Sequence, residues 1–187
     1  MNEVIKNIKE RRSVRFFQTK RIQKEVLTAI IEAGNEAPTG AGVQPWRFVV
    51  LESDDLRKSI AQNAKPVYLN FMKNAEAGFK KVRDEIDGVL EDSIYYAAPV
   101  IIFVIGKKLV TYDKDCPMVC ENMMLAARSL DIGSCWLGFG QMGLTEEIKK
   151  VMELQDNEVI FGPIAFGYPS KGFPEMPPKR EPQVIWL

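Results

Sequence analysis

Apolar side chains recur at helical spacing in several parts of the 187-residue chain. The spacing of Val4, Ile5 and Ile8 predicts a short amphipathic helix over residues 2–10. Residues 117–130 are apolar nearly all round, which predicts a helix buried at the centre of the molecule. The two patterns therefore predict opposite environments, the first helix at the surface and the second in the core.

Short apolar runs rich in β-branched residues indicate strands rather than helices. Phe48–Leu51 is the first such run, and Pro99–Ile105 is almost entirely Val and Ile, which predicts a strand buried on both faces. A short strand around Cys135–Leu137 and a longer one over Val159–Phe166 follow. Their alternation with helices predicts an α+β fold with a central mixed sheet wrapped by helices.

Capping residues and charge patterns predict where the remaining helices lie. Thr19 is a candidate N-cap for a helix that has an apolar stripe from Val26 to Ile31 and fades at Gly34. Ser53 and Thr145 each precede a pair of acidic residues, the pattern of a helix start. The stretch 65–92 is rich in Lys and Glu with scattered aromatics, which predicts one or two exposed helices that form a lid or an insertion.

The composition is that of a globular protein, with 46% hydrophobic and 27% charged residues and 25 basic against 25 acidic side chains. A chain of this length can bury a substantial core, and we expect a single domain over residues 1–187. The longest uncharged apolar run, Tyr95–Gly106, is shorter than the ~20 residues of a membrane span. Charges interrupt Met1–Lys20, so we expect no signal peptide, no membrane partner and a cytoplasmic location.

Two absences limit the chemistry. The chain has no histidine, which excludes Ser–His and Cys–His nucleophiles, histidine-bound metals and the usual near-neutral general base. It has three cysteines, too few for paired CxxC metal clusters or a disulfide framework, and we predict no metal site. Cys116 and Cys120 share one predicted helix face and are expected to be buried thiols. An enzyme of this composition would depend on a cofactor or on carboxylates.

Basic residues concentrate at the start of the chain, where residues 1–24 hold eight basic and two acidic side chains, an excess of six. Within them, the run Arg11–Arg15 contains three guanidiniums and the hydroxyl of Ser13, which together can bind a phosphate. Taken alone, a solvated basic helix end is the more common explanation of such a run. The overall balance of charge favours a local anion over a nucleic-acid backbone.

A second candidate segment, Ala37–Trp46, combines glycines with an amide side chain. Gly40 and Gly42 let the backbone approach a ligand closely, and Gln44 can pair with an edge that carries both an amide and a carbonyl. An ordinary turn between a helix and a strand would also use Pro and Gly here. The segment matches neither the GxGxxG nor the GxxxxGK pattern of nucleotide-binding loops.

Two further segments carry weaker signals. Gly133–Gly138 is a small-residue strand around Trp136, able to offer backbone N–H groups and a flat apolar wall. A core strand that ends in a glycine turn would have the same sequence. Lys179 and Arg180 form a basic pair after a proline-rich stretch, where exposed tail charges are the default explanation.

In this order and spacing, the segments resemble the nitroreductase family of FMN-dependent NAD(P)H oxidoreductases. The matching motifs are ERRSVRF at Glu10–Phe16, APx5QPW at Ala37–Trp46, GSCWLG at Gly133–Gly138 and GYP at Gly167–Pro169. The resemblance implies a three-layer fold and a homodimer with FMN at the subunit interface. It also implies a C-terminal strand exchanged with the partner subunit, for which the apolar end Val184–Leu187 is suited.

The resemblance further implies which residues bind FMN. Those implied at the phosphate and at one edge of the flavin are Arg11, Arg12, Ser13, Arg15, Lys179 and Arg180. Those implied in a loop from the other subunit are Pro38, Thr39 and Gly40, with Gly42 and Gln44 in the same block. Gly42 stands where the family has Asn, so only its backbone can bind. Those implied along the isoalloxazine ring are Trp136, Leu137, Gly138 and Asn70, with a backbone N–H near Gly138 facing the hydride-accepting nitrogen.

The implied activity is hydride transfer from NADH or NADPH, through bound FMN, to a nitroaromatic, quinone or similar small-molecule acceptor in a ping-pong sequence. A histidine-free site suits this activity because the flavin carries the chemistry, and Arg15 would stabilise negative charge on the reduced ring. A flavin store or redox sensor with little turnover is the alternative. The family also includes flavin-cleaving and dehalogenating enzymes. A nucleic-acid surface is disfavoured because no aromatic residues interleave with the basic run.

Overall fold

The computed structural model describes residues 2–87, 92–176 and 178–187. The helices are α1 (Glu3–Glu10), α2 (Lys24–Asn35), α3 (Asp54–Lys73), α4 (Ala77–Asp87), α5 (Tyr112–Ser129) and α6 (Glu146–Val151), with a 3₁₀ turn at Gly40–Gly42. The strands are β1 (Trp46–Leu51), β2 (Val100–Lys107), β3 (Gly133–Trp136) and β4 (Glu158–Gly167). The four strands predicted from apolar runs are confirmed, close to their expected bounds.

The strands form one sheet in the order β1-β2-β4-β3, and each neighbouring pair is antiparallel. Parallel pairing within the described residues is limited to an isolated bridge between Ser13 and Ser134, so the sheet is less mixed than the sequence predicts. Leu51 at the end of β1 pairs with Ile101 near the start of β2. The chain therefore leaves the sheet after β1, passes through α3 and α4, and re-enters it at the same end. Burial on both faces is typical of parallel sheets, but here helices cover both faces of an antiparallel one.

Helices cover both faces of the sheet and give the predicted α+β arrangement of three layers. Alternate residues of β2 point to opposite faces. The residues on one face are Ile101, Phe103 and Ile105. The residues on the other face are Val100, Ile102 and Val104. The first face packs against α3 and α6, and the second packs against α2 and α5. Val119 and Met123 of α5 are fully buried, which confirms the predicted central helix.

The predicted caps at Ser53 and Thr145 are confirmed, since each hydroxyl accepts a backbone N–H three residues further on. Thr19 is not a cap, and α2 begins several residues later. The chain near Thr19 is held against the end of β4, where the N–H of Gln18 donates to the carbonyl of Tyr168 at 2.8 Å. This tertiary pairing keeps the backbone out of a helix at a residue that has the chemistry of a cap.

The predicted segment 65–92 comprises the end of α3 and all of α4, two helices as expected, while residues 88–91 lie outside the described residues. The segment is less exposed than its charge suggests. Tyr68, Arg83 and Ile86 are 2%, 4% and 3% exposed. A charged side chain can be buried in this way when hydrogen-bonding partners are buried with it.

The C-terminal residues leave the core after β4. The N–H of Ser170 still donates to the carbonyl of Phe16 at 3.0 Å, but Ile185 and Trp186 are 86% and 91% exposed. No strand is assigned to the described residues after 170, so the expected strand exchange has no counterpart within one chain. The apolar face of α1 is also exposed, with Val4 at 68%. Among the helices in the described ranges, none is long and apolar enough to cross a bilayer.

Candidate functional site

The arginine-rich segment after α1 lies along the edge strand β3. The N–H of Val14 donates to the carbonyl of Ser134 at 2.9 Å, and Ser13 forms the parallel bridge with Ser134. Gly133 permits this approach, because a Cβ atom there would lie 2.8 Å from Cβ of Val14, closer than two carbon atoms tolerate. The first and third candidate segments are therefore adjacent in the fold.

The side chains of the arginine-rich segment have donors available for a ligand. Arg11 Nε lies 3.4 Å from Oε1 of Glu121 on α5, and Arg15 Nη1 donates to the carbonyl of Ser13 at 3.4 Å. Arg12 Nε is buried and has no hydrogen-bond partner among the described residues. A buried donor without an acceptor is costly, so Arg12 marks a position where an anionic ligand would be stabilising.

Cys135 lies beside this segment on the core side and is 2% exposed. Burial raises the pKa of its thiol, while Arg15, a hydrogen bond with Ser13, and Arg83 and Arg11 lower the same pKa to a smaller extent. The thiol is therefore protonated at neutral pH and is not a nucleophile.

The loop after α2 is fixed by a buried carboxylate on α5. Asp115 is 3% exposed. Its Oδ2 accepts hydrogen bonds from Thr39 Oγ1 at 3.0 Å, from the N–H of Gly40 at 3.3 Å and from Thr111 Oγ1 at 2.8 Å. Burial raises the pKa of Asp115, but the hydrogen bonds outweigh burial and the pKa lies below its usual value. The sequence does not predict this anchor, because an acid in the first turn of a helix is already favoured by the helix dipole.

The same loop presents its backbone and polar groups outward. Ala41, Gly42 and Gln44 have φ values of 54°, 68° and 43°, a left-handed conformation that favours glycine and is uncommon for the other two. The N–H of Gln44 donates to Thr39 Oγ1 at 3.0 Å, and Pro38, Gly42 and Gln44 are exposed. No hydrogen bond or ion pair among the described residues joins this loop to the arginine-rich segment of the same chain.

The end of β3 turns successive side chains to opposite sides. Trp136 is 41% exposed and Leu137 is 2% exposed. Leu137 packs in the core and its N–H donates to the carbonyl of Pro163 at 2.8 Å, so neither its side chain nor its N–H is available to a ligand. The place of Leu137 along the ligand stays a prediction, with its side chain behind the surface rather than on it. Gly138 is exposed, and a Cβ atom there would meet no atom within 4 Å.

Asn70 lies near the end of α3, and its exposed side chain makes no hydrogen bond among the described residues. The ring of its neighbour Phe71 packs edge to face on Phe139, with 5.1 Å between ring centroids. Phe139 directly follows Gly138, so this end of α3 borders the open surface after β3. The expected place of Asn70 beside that surface is compatible with the fold, although no contact joins the two.

Lys179 and Arg180 lie exposed in the tail, and no contact among the described residues brings them to the arginine-rich segment. The tail does contact neighbouring elements earlier in its course. The ammonium of Lys171 lies 3.8 Å from the ring centroid of Phe16, and the guanidinium of Arg128 on α5 lies 4.2 Å from that of Phe173. Within one chain, the fourth candidate segment therefore stays apart from the first.

A buried polar cluster around Arg83 of α4 was not predicted from the sequence. Arg83 is 4% exposed and donates from Nε to Tyr68 Oη at 3.0 Å, from Nη1 to Tyr96 Oη at 2.9 Å and from Nη2 to the carbonyl of Ser93 at 2.9 Å. It also pairs with Asp87 at 3.3 Å. Burial raises the pKa of both tyrosines. Arg83 and Asp87 stand four residues apart in the sequence, a spacing that indicates an ion pair. Such pairs are usual on solvated helices, so the spacing did not indicate burial.

Fold and motif order together define a three-layer α+β protein with an arginine-rich segment on its edge strand. The chain also matches the sequence model of the nitroreductase family over residues 8–168. It therefore belongs to the nitroreductase family.

Individual relatives extend the comparison over the whole chain. A protein from Archaeoglobus fulgidus, named "Putative NADH dehydrogenase/NAD(P)H nitroreductase", is 28% identical over 188 residues, 99% of this chain and 97% of its own. An iodotyrosine deiodinase from Thermotoga neapolitana is 25% identical over 173 residues, 90% of each chain. The crystal structure of a nitroreductase with bound FMN from Bacteroides fragilis has a TM-score of 0.77 and 29% identity, over 100% of this chain and 99% of that one.

Proposed function

We propose that the chain is an FMN-dependent oxidoreductase that acts as a homodimer with FMN at the subunit interface. In this proposal it transfers hydride from NADH or NADPH to a nitroaromatic, quinone or similar acceptor in a ping-pong sequence. The observation that carries the proposal is the pairing of Ser13 with Ser134, which brings guanidinium donors next to the open surface at Trp136 and Gly138. The family match and the FMN of the Bacteroides fragilis structure support the same cofactor.

The donors of the arginine-rich segment fit the phosphate of FMN. Arg12 Nε is buried without an acceptor, and a phosphate oxygen would satisfy it. Arg11 reaches Glu121, a half-exposed carboxylate, and a doubly charged phosphate would compete for this guanidinium. Guanidiniums bind phosphates through paired hydrogen bonds, and Ser13 adds a hydroxyl. The residues that we propose for the phosphate and the adjoining flavin edge are Arg11, Arg12, Ser13, Arg15, Lys179 and Arg180.

The surface after β3 fits a flat ring. Gly138 leaves space where a side chain would stand, so a ligand can approach the backbone there. Trp136 offers an apolar wall, Asn70 borders the surface from α3, and Leu137 supports it from the core. Bound FMN would supply the hydride-transfer chemistry, which then requires no histidine. Arg15 is proposed to stabilise negative charge that develops on the ring.

We propose that the second subunit completes each site. The loop Pro38–Gly40 makes no polar contact with the arginine-rich segment of its own chain, and its anchor on Asp115 holds it in an ordered, outward conformation. Gly42 and Gln44 extend the same exposed edge. Large apolar side chains at both chain ends are exposed, among them Val4 at 68% and Trp186 at 91%. Association would bury these surfaces, with the C-terminal tail exchanged as a strand.

The proposed cofactor is tested by FMN retention. Purified protein is incubated with excess FMN and desalted, its visible spectrum is recorded, and the acid-released chromophore is identified. We expect about one FMN per chain, as one site per subunit requires. Arg12→Gln should retain less FMN, whereas Arg21→Gln, the same change at an exposed arginine outside the site, should retain as much as the wild type. A colourless wild-type protein would contradict the proposal.

The proposed reaction is tested on the FMN-loaded protein. NADH and NADPH are each combined with a nitroaromatic, a quinone and 3-iodo-L-tyrosine, the last because a deiodinase is among the relatives. Parallel double-reciprocal plots are expected for the acceptor that is used. Retained FMN without turnover on any of the three would instead favour the alternative function, a flavin store or redox sensor.

A further inference from the structure

The arginine-rich segment is anchored at its C-terminal end by the edge strand. The N–H of Val14 donates to the carbonyl of Ser134 at 2.9 Å, and Ser13 forms an isolated parallel bridge with Ser134. These contacts fix the backbone just after Arg12, whose Nε is buried and has no hydrogen-bond partner among the described residues. A short run of donors keeps its geometry only when both of its ends are held, so the end that follows α1 matters as much.

Polar contacts with α5 hold the last turn of α1. This helix lies wholly within the described residues, and none of its residues is buried, so apolar packing does little to fix it. Asn7 Nδ2 donates to the carbonyl of Leu125 at 2.8 Å, and Arg128 Nη2 donates to Oε2 of Glu10 at 2.9 Å. Leu125 and Arg128 are three residues apart and lie on one face of α5, so together they fix the position of α1 along that face.

The ion pair between Glu10 and Arg128 is partly shielded from water. The side chain of Arg128 is 19% exposed and that of Glu10 is 43% exposed. The ring of Phe173 covers the guanidinium, with 4.2 Å between the ring centroid and Cζ, and Nη1 lies 3.4 Å from Oδ1 of Asp131. Opposite charges attract more strongly where water is excluded, so this pair is held more firmly than a fully solvated one.

We infer that Glu10 is a positioning residue for the phosphate of FMN, because its ion pair with Arg128 fixes the start of the arginine-rich segment. The inference rests on the proposed function, which gives Arg11 and Arg12 a phosphate to bind. Glu10 directly precedes these two residues, so a shift of its backbone moves both guanidiniums. Its charge alone would oppose an anion, but Arg128 offsets that charge. The pair therefore contributes order to the site before the ligand arrives.

Two variants of Glu10 separate positioning from charge. Glu10→Ala removes the carboxylate entirely, whereas Glu10→Gln removes the charge and keeps an oxygen that can accept from Arg128. Charge alone predicts that both variants bind FMN more tightly than the wild type, and to the same extent. Positioning predicts that Glu10→Ala binds FMN about fivefold more weakly than the wild type, and that Glu10→Gln binds it more tightly than Glu10→Ala. The Kd from quenching of flavin fluorescence decides between them.

Asp131→Asn is the matched control, because it neutralises the other carboxylate that pairs with Arg128. The φ of Asp131 is 57°, a left-handed conformation that asparagine also adopts. No hydrogen bond or ion pair among the described residues joins Asp131 to the arginine-rich segment, so this variant should not weaken FMN binding. A loss of affinity equal to that of Glu10→Ala would overturn the inference, because Arg128 would then act as general support for the end of α5.

Riboflavin, which is FMN without its phosphate, shows which part of the cofactor the ion pair serves. Val14 anchors the segment before Arg15, so a loosened start should leave the proposed contact of Arg15 with the ring in place. Glu10→Ala should therefore bind riboflavin as the wild type does, while its affinity for FMN falls. Equal losses for riboflavin and FMN would assign Glu10 to the stability of the whole site and overturn its role at the phosphate.

A double-mutant cycle asks whether Glu10 acts through Arg128. Arg128→Met keeps an apolar stem against Phe173 and leaves the carboxylate of Glu10 without its partner, so it should weaken FMN binding at least as much as Glu10→Ala. In the Arg128→Met background, Glu10→Ala should cause no further loss of affinity. Additive losses would contradict the inference.

The outcomes also separate this inference from the proposed function. A wild-type protein that binds no FMN overturns both. A wild-type protein that binds FMN, together with Glu10→Ala at wild-type or higher affinity, overturns only the positioning role of Glu10.

Discussion

The buried carboxylate of Asp115 holds Thr39 in the loop after α2, with 3.0 Å between Oδ2 of the first and Oγ1 of the second. The same oxygen accepts the N–H of Gly40. One side chain of α5 therefore fixes two of the residues that we propose to reach the FMN of the partner subunit. The order of this loop depends on the charge of a residue that is distant from it in sequence.

Asp115→Asn should loosen the loop without creating a cavity in the core, because the two side chains have nearly the same size. A neutral amide is a weaker acceptor for three donors than a carboxylate, so the loop should open more often. We expect proteolytic cleavage within residues 38–44 to be about tenfold faster and FMN retention to be lower. Asp113→Asn, at an exposed acid two residues earlier in the same helix, is the control, and equal cleavage of the two variants would contradict the role of Asp115.

The ion pair between Glu158 and Arg47 leads to a prediction of how the stability of the fold changes with pH. Arg47 donates two hydrogen bonds to the carboxylate of Glu158, 2.8 and 2.7 Å long. Hydrogen bonding by Arg47 is the main reason that the pKa of Glu158 is lowered. A lowered pKa in the folded state means that this pair stabilises the fold fully above the ordinary glutamate pKa of about 4.3. That contribution is lost as the pH falls through the lower value of the folded state.

Glu158→Gln should therefore reduce the free energy of unfolding by about 1–3 kcal/mol at pH 7. It should also lose less stability than the wild type on acidification, so the two unfolding curves should converge at low pH. Urea unfolding at pH 7 and below pH 4 measures both effects. Glu175→Gln, at an exposed position in the tail, is the control. A difference from the wild type that stays constant with pH would contradict the argument.

The buried cysteines should be inert in the folded protein. Burial raises the pKa of Cys116 to about 11 and that of Cys120 to about 12, and Cys135 is buried as well. At pH 8 little thiolate forms, and a reagent cannot reach it. We expect no reaction with an aromatic disulfide reagent in the native state, and reaction of all three thiols after denaturation. Rapid labelling of native protein would show that one of these helix or strand positions opens.

Local patterns predicted the elements whose environment follows from their own sequence. Most of β2, up to Ile105, is an uncharged run of mainly β-branched residues, and residues 117–130, which cover most of α5, are apolar nearly all round, so burial of both could be inferred without knowing their neighbours. The order of the motifs also sufficed to indicate the family. Ser53 was predicted correctly as a cap because capping is a contact between residues three apart.

The features that were missed depend on contacts between residues far apart in the chain. Thr19 has the chemistry of a cap, but its neighbour Gln18 pairs with the end of β4. Arg83 has the sequence context of a solvated charge, yet tyrosines from two other segments bury it. Leu137 belongs to the motif that we propose for the ligand surface, and it is packing against a distant part of the chain that buries its side chain in the core. Periodicity within a segment carries no information on such partners.

Gly138 offers a test of where the flavin ring lies. A Cβ atom at this residue would meet nothing within 4 Å, so a side chain there should change the free energy of unfolding of the FMN-free protein by no more than about 0.5 kcal/mol. The same side chain would occupy the surface that we propose for the ring. We therefore expect Gly138→Val to keep the Tm of the FMN-free protein and to lose most of its FMN binding.

Gly140→Ala is the matched control two residues further on. There a Cβ atom would lie 2.5 Å from Pro163 Cγ and 2.8 Å from Tyr95 Cε1, so the change should lower the Tm through a clash in the core. Its folded fraction should still bind FMN more tightly than Gly138→Val does. The two variants should thus separate an effect on stability from an effect on FMN binding, because Gly140 is surrounded by protein and Gly138 faces open space. If Gly138→Val bound FMN with wild-type affinity, the ring could not lie against the end of β3.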